Sequence, residues 1–247
     1  MFHGVAQVRT RSAKIFDGLA SLAMIAASGV IIWVSLAAPK VVTPSISTGT
    51  PVSASVPTTP LVVSDAHTKG DPHAPVVIVE YSEFQCPYCR SFARDVLPGL
   101  LREHVESGRV AFAFRHLPLE RLHALAFAAA VVAECSGQQS RFWDAHDALF
   151  GLAGSSLSDA QLALMPTKLG LDVPRFSACL RAPETTAKIR SDAEAARALG
   201  VTGTPAFFVG LRQADGTVKV LKRLNGVQPL SAFAAVIKEV FEKLAKG

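Results

Sequence analysis

Tyrosine and tryptophan are scarce in this chain, two of each in 247 residues, and beyond the first sixty residues neither sign of charge is in real excess. Lys plus Arg outnumber Asp plus Glu by 25 to 20, but residues 1–60 hold Arg9, Arg11, Lys14 and Lys40 against Asp17 alone, which leaves 21 basic and 19 acidic groups for residues 61–247. A body so evenly charged, with so few aromatic side chains, offers no nucleic-acid-binding stripe, and no nucleic-acid partner is expected. No Gly-rich phosphate loop opens a helix, no Ser, His and Asp stand in hydrolytic order, and no segment repeats, so nothing implies a nucleotide or other cofactor. His116, His123 and His146 lie in separate segments without ligand spacing; no metal site is expected, and His146 beside Trp143 reads as a packed core histidine. At 49% hydrophobic and 18% charged, the chain is too apolar to be disordered.

Charge is also missing from residues 19–38, and there the absence is informative. Twenty residues at 1.5 Å each span about 30 Å, the hydrocarbon thickness of a bilayer. Arg9, Arg11 and Lys14 precede the run and only Lys40 follows closely, so the positive-inside rule keeps the tail in the cytoplasm and exports what comes after. The run exceeds a signal-peptide core and carries Trp33 near its outer end, so an uncleaved transmembrane anchor is expected; Ser35-Leu36-Ala37 supplies a cleavage site for the alternative, a signal peptide. A buried helix is a third reading. In residues 39–60, fourteen of twenty-two residues are Ser, Thr or Pro without periodicity, a solvated tether. The linker is placed at residues 39–65 and the folded domain at 66–247.

Residues 75–81 form a β-branched run suited to a buried strand, and a helix pattern starts after Cys86 with Pro87 in its first turn. Phe92, Val96, Leu100 and Leu101 give that helix an apolar face, and Pro98 should kink it. Residues 110–116 alternate as a second strand, making a strand–helix–strand unit whose strands should be parallel. Residues 119–199 read as helical, with breaks near Ser136-Gly137, residues 151–156, Gly170 and Pro183; residues 206–209 and 218–221 resume strand character, and residues 229–244 close the chain as an amphipathic helix. This is an α/β domain with an inserted helical subdomain.

Cys86-Pro87-Tyr88-Cys89 stands at the strand-to-helix junction. Two cysteines at this spacing can close a small disulfide, chelate zinc, or be unpaired structural thiols. Zinc needs two more ligands, and Cys135 and Cys179 stand alone. The helix end favours a thiolate at Cys86, the attacking sulfur, while Cys89, one turn inside, suits the resolving role. Redox chemistry is the leading reading.

The run Val79-Glu80-Tyr81-Ser82-Glu83-Phe84-Gln85-Cys86-Pro87-Tyr88-Cys89, preceded by Gly70-Asp71-Pro72 and followed by Phe142-Trp143, His146-Asp147 and Gly203-Thr204-Pro205-Ala206-Phe207, resembles the DsbA-like thiol–disulfide oxidoreductases over residues 66–245. The resemblance implies a thioredoxin fold with a helical insertion, preceded here by the transmembrane helix. It implies that Pro205 is a cis-proline that, with Thr204, lines the substrate path beside the cysteines, and that Glu80 is a buried acid able to relay the proton of Cys89; an ordinary strand-end glutamate is the alternative. Pro87 and Tyr88 tune the couple. Tyr88 replaces the histidine of DsbA itself, which leaves the redox direction open. Cys135 and Cys179, left over in an exported protein, most simply pair as the structural disulfide that some members carry; free thiols or a second redox couple are the alternatives.

The function expected is membrane-tethered disulfide formation in the bacterial cell envelope, with the catalytic domain outside the inner membrane. Reduced exported proteins are the substrates, a quinone-linked membrane partner of DsbB or VKOR type reoxidises the pair, and residues 19–38 supply the membrane contact. A reductase or isomerase is the enzymatic alternative, the isomerase being disfavoured by the lack of a dimerisation domain before the active site. A non-enzymatic envelope chaperone is the alternative from another class.

Overall fold

The computed structural model describes residues 56–152 and 157–246. The expected transmembrane helix at 19–38 lies outside them, and among the described residues no helix is long and apolar enough to cross a membrane.

Strands β2 (Val76–Ser82) and β3 (Val110–His116) pair in parallel as the centre of a five-stranded sheet. β2 starts one residue later than the expected 75–81, because Pro75 has no N–H for the ladder and contributes only its carbonyl, which accepts from Arg212 N at 2.9 Å. Between the two strands run α1 (Pro87–Asp95), α2 (Leu97–Leu100) and a π-helical turn, Leu101–Val105. The expected kink appears at Val96, two residues ahead of Pro98, where the proline ring would meet the preceding turn. Phe92, Val96 and Leu100 are buried, as their spacing requires.

The helical block is α3 (Ala126–Gly137), α4 (Phe142–Gly151), α5 (Asp159–Lys168), α6 (Val173–Arg181) and α7 (Pro183–Ala198). Residues 119–125, expected to be helical, form turns instead. The chain returns through β4 (Ala206–Arg212) and β5 (Val218–Asn225) and ends in α8 (Leu230–Leu244). β4 runs three residues beyond the expected 209 because it pairs on both sides, antiparallel to β2 and to β5. At Gly210 the ladder carries a register shift, and a Cβ there would lie 2.1 Å from the Lys219 carbonyl oxygen, a spacing only glycine allows.

The sheet order is β1-β3-β2-β4-β5, where β1 (His67–Lys69) is a short strand antiparallel to β3 that the sequence did not signal. Strand alternation sorts the core. Val77, Val79, Tyr81, Ala111 and Ala113 face α7, while Ile78, Phe112, Phe207 and Val209 face α1 and α8. Glu80, Ser82, Phe114 and His116 fall on the second face, toward the cysteines and the helical block.

The packing begins before the expected 65/66 boundary. Leu61 and Val63 are buried, and Leu61 exchanges backbone hydrogen bonds with Val218 at 2.9 and 2.8 Å. Buried Arg115 pairs with Asp65 and Asp192 and donates to the Val62 carbonyl at 2.6 Å. Asp192 is in turn held by Lys188 at 2.7 Å and by the His116 N–H at 3.1 Å. A composition rule that stops the domain where Ser, Thr and Pro thin out misses these residues, because their partners lie fifty or more positions away.

Candidate active site

Cys86 is the residue that caps α1, in extended conformation, with Pro87 in the first turn where its missing N–H costs nothing. The sheet brings Thr204-Pro205, at the start of β4, against it: the Cys86 thiol donates to the Thr204 carbonyl at 3.5 Å, and the Thr204–Pro205 peptide is cis. The Pro205 carbonyl accepts from Gly226 N at 2.8 Å, which leaves the Gly203–Thr204 side facing a shallow groove bordered by Tyr88, Arg223 and Val227. Tyr88 is 66% exposed at its rim.

Cys86 and Cys89 are free thiols in unlike surroundings. Cys86, 4% exposed, is held down to a pKa of about 5 chiefly by the Cys89 thiol, with the amide N–H groups of Cys89 and Tyr88, which outweigh its burial. Cys89 has no exposed surface, and its thiol is pushed well up by burial and by the neighbouring Cys86 sulfur. Beneath them lies Glu80, its two carboxylate oxygens without partners, raised by burial to a pKa of about 8. One sulfur thus favours the thiolate and the other the thiol, above a carboxyl that burial keeps protonated at neutral pH.

The loop between β2 and α1 is fastened by groups the sequence did not mark. Buried Glu83 accepts from Gln85 N at 2.7 Å and pairs with His123, while Gln85 Oε1 accepts from Leu125 N at 2.8 Å. Two adjoining links therefore tie residues 83–85 to residues 123–125. Burial raises the Glu83 carboxyl, and the Gln85 amide and His123 oppose that rise.

Of the other residues singled out, Cys135 and Cys179 are joined to each other, linking α3 to α6 with a Cα–Cα distance of 5.6 Å. His146 is buried against the rings of Phe84, Phe114, Trp143 and Phe150, with Nδ1 2.7 Å from Asp147, and its pKa is lowered by burial. His116 lies beside His67 and Glu134, a grouping spread over three elements that no local spacing could announce.

A family model described as thioredoxin matches residues 63–224. The curated relatives include a Na(+)/H(+) antiporter NhaA 1 of Salinispora arenicola, 36% identical over 154 residues, 62% of this chain and 23% of that protein. The chain therefore spans about a quarter of the length of that relative. A probable disulfide bond formation protein D of Bacillus anthracis is 30% identical over 169 residues, covering 65% of this chain and 76% of that protein. Among solved structures, α-DsbA1 of Wolbachia pipientis superposes with a TM-score of 0.64 at 25% identity, over 74% of this chain and 94% of its own.

Proposed function

Because the chain belongs to the thioredoxin family and is a DsbA-like protein disulfide oxidoreductase, we propose that it works in the oxidising direction, donating a Cys86–Cys89 disulfide to reduced exported proteins from a membrane tether. The depressed pKa of Cys86 is the observation that carries this reading. A substrate thiolate attacks the Cys86 sulfur; the Cys86–Cys89 bond breaks, and a mixed disulfide forms. Cys89 leaves as a thiolate whose buried surroundings favour the thiol, and Glu80 hands it a proton. A second substrate thiolate then attacks the substrate sulfur of the mixed disulfide. The substrate disulfide closes, and Cys86 departs as a thiolate that its surroundings stabilise, which drives transfer toward the substrate. Two electrons have passed from substrate to enzyme.

The groove beside Thr204 supplies open backbone for an extended substrate segment. Residues 19–38 hold the domain at the outer face of the inner membrane, and a quinone-linked membrane protein of DsbB or VKOR type takes the electrons away. The Cys135–Cys179 bond holds the insertion and carries no electrons. Equilibration with glutathione tests the reading: the Cys86/Cys89 potential should lie well above the roughly −270 mV of thioredoxin. A value at or below that figure would instead make the protein a reductase.

A further inference from the structure

We propose that His67, His116 and Glu134 form a binding site for a divalent transition-metal cation of the zinc type, clamping β1 and β3 to α3. The proposal does not rest on the redox reading. One residue comes from each element, and the Nε2 atoms of both imidazoles converge on one carboxylate oxygen: Glu134 Oε2 is 2.8 Å from His67 and 3.2 Å from His116. The three ligand atoms all lie within 4.8 Å of one another. Metal–ligand bonds of about 2.0–2.2 Å in a tetrahedron set ligand atoms about 3.3–3.6 Å apart, so an ion among them requires the Glu134 carboxylate to draw back from His67 Nε2 by about half an ångström.

Charge favours a cation here. Glu134 is largely buried, and among the described residues its side chain finds no lysine or arginine, only the two imidazoles. A buried carboxylate with no lysine or arginine beside it is well balanced by a metal ion. Two histidines and one carboxylate are a donor set that zinc accepts with a further position open. His67 is 18% exposed and Glu134 12%, while His116 has no exposed surface, so the open position faces water from the β1 side.

The rings are also held in place. His67 stacks on Phe142 with centroids 3.5 Å apart and lies so close to Gly137 that a Cβ there would come within 2.8 Å of its Cε1 atom. His116 stands edge-on to Phe84, Phe114 and Phe142. Its Nδ1 is buried without a partner, as is the Ser82 hydroxyl at the paired position of β2. Coordination through Nε2 places the ring proton on Nδ1, the tautomer a metal-bound imidazole takes.

The test uses the full chain with Cys86 and Cys89 oxidised to each other, so that no thiol competes, and Zn2+ as the probe. Competition against a metallochromic dye should give one tightly held equivalent. Glu134→Gln and His67→Asn should each weaken binding on the order of 100-fold, and exposed His73→Asn should leave it unchanged. Should either variant fail to fold, 15N imidazole spectra of the unaltered chain decide the matter: zinc should move the Nε2 signals of His67 and His116 and leave Nδ1 protonated. Absence of a tight equivalent, binding that survives both substitutions, or ring signals that ignore zinc would overturn the site.

Discussion

Glu80 and Cys86 pull the pH dependence of stability in opposite directions, so substituting one should expose the other. Cys86 has a folded pKa of about 5 against an ordinary 9.0. Between those values the unfolded chain holds a proton that the folded dithiol form has released, so stability rises with pH, by up to about 1.4 kcal/mol per unit, and is lost as pH falls through 5. Glu80 has a folded pKa of about 8 against 4.5. There the folded protein keeps a proton that the unfolded chain releases, and stability falls at a similar slope between pH 4.5 and 8. Over pH 5 to 8 the two contributions nearly cancel in the dithiol form. Glu80→Gln keeps the shape of the protonated acid and removes its titration. Relative to the unaltered dithiol form, the stability of this variant should therefore climb by about 3–4 kcal/mol from pH 5 to pH 8, an upper figure. Closing the Cys86–Cys89 disulfide removes the thiol contribution, so the disulfide form of the same variant should lack the rise its dithiol form shows. Guanidinium denaturation of both redox forms at pH 5, 6, 7 and 8 reads these differences, the other titrating groups being common to all samples. Identical pH profiles for the dithiol and disulfide forms of Glu80→Gln would refute the assignment of a stabilised thiolate to Cys86.

The chemical roles separate in covalent trapping: Cys86→Ser should abolish substrate oxidation without forming adducts, and Cys89→Ser should accumulate mixed disulfides visible on non-reducing gels. Replacing Cys135 and Cys179 together by Ala should lower stability by up to about 4 kcal/mol, from the 44-residue separation they bridge, yet leave turnover of a reduced substrate intact; a loss of turnover at unchanged stability would mean the bond carries electrons. Asp192→Ala leaves Arg115 with one fewer buried partner and should cost about 3–5 kcal/mol in denaturant unfolding, whereas Asp65→Ala, on the half-exposed side of the same arginine, should cost no more than about 1 kcal/mol. His123→Ala should destabilise by about 1–3 kcal/mol, because it strips a partner from buried Glu83 in the loop that presents Cys86.

What could be read from the sequence was carried by neighbours in the chain. The parallel pair β2 and β3, the cap position of Cys86 and the amphipathic α8 all show as local periodicity or as a residue type that suits one local geometry. β1 left no such trace: three residues, half-buried, paired only on one side, carry neither a β-branched run nor an alternation long enough to detect. β4 was cut short for a related reason, since Gly210 interrupts the apolar pattern at the very point where the ladder's register shift requires glycine. The site divides along the same line. Cys86 and Cys89 announce themselves by a spacing of three, and Thr204-Pro205 by a family resemblance, but Glu83 reads as one more polar residue until His123, forty positions on, is folded against it. Only the fold gives such residues their partners, and this has a chemical consequence for the cysteine loop. Its helix-capping geometry is local to residues 86–89, whereas its anchorage depends on residues 123–125, which belong to the link between β3 and the helical block. A change in the insertion that displaces that link would therefore act on Cys86 without touching any residue of the cysteine motif.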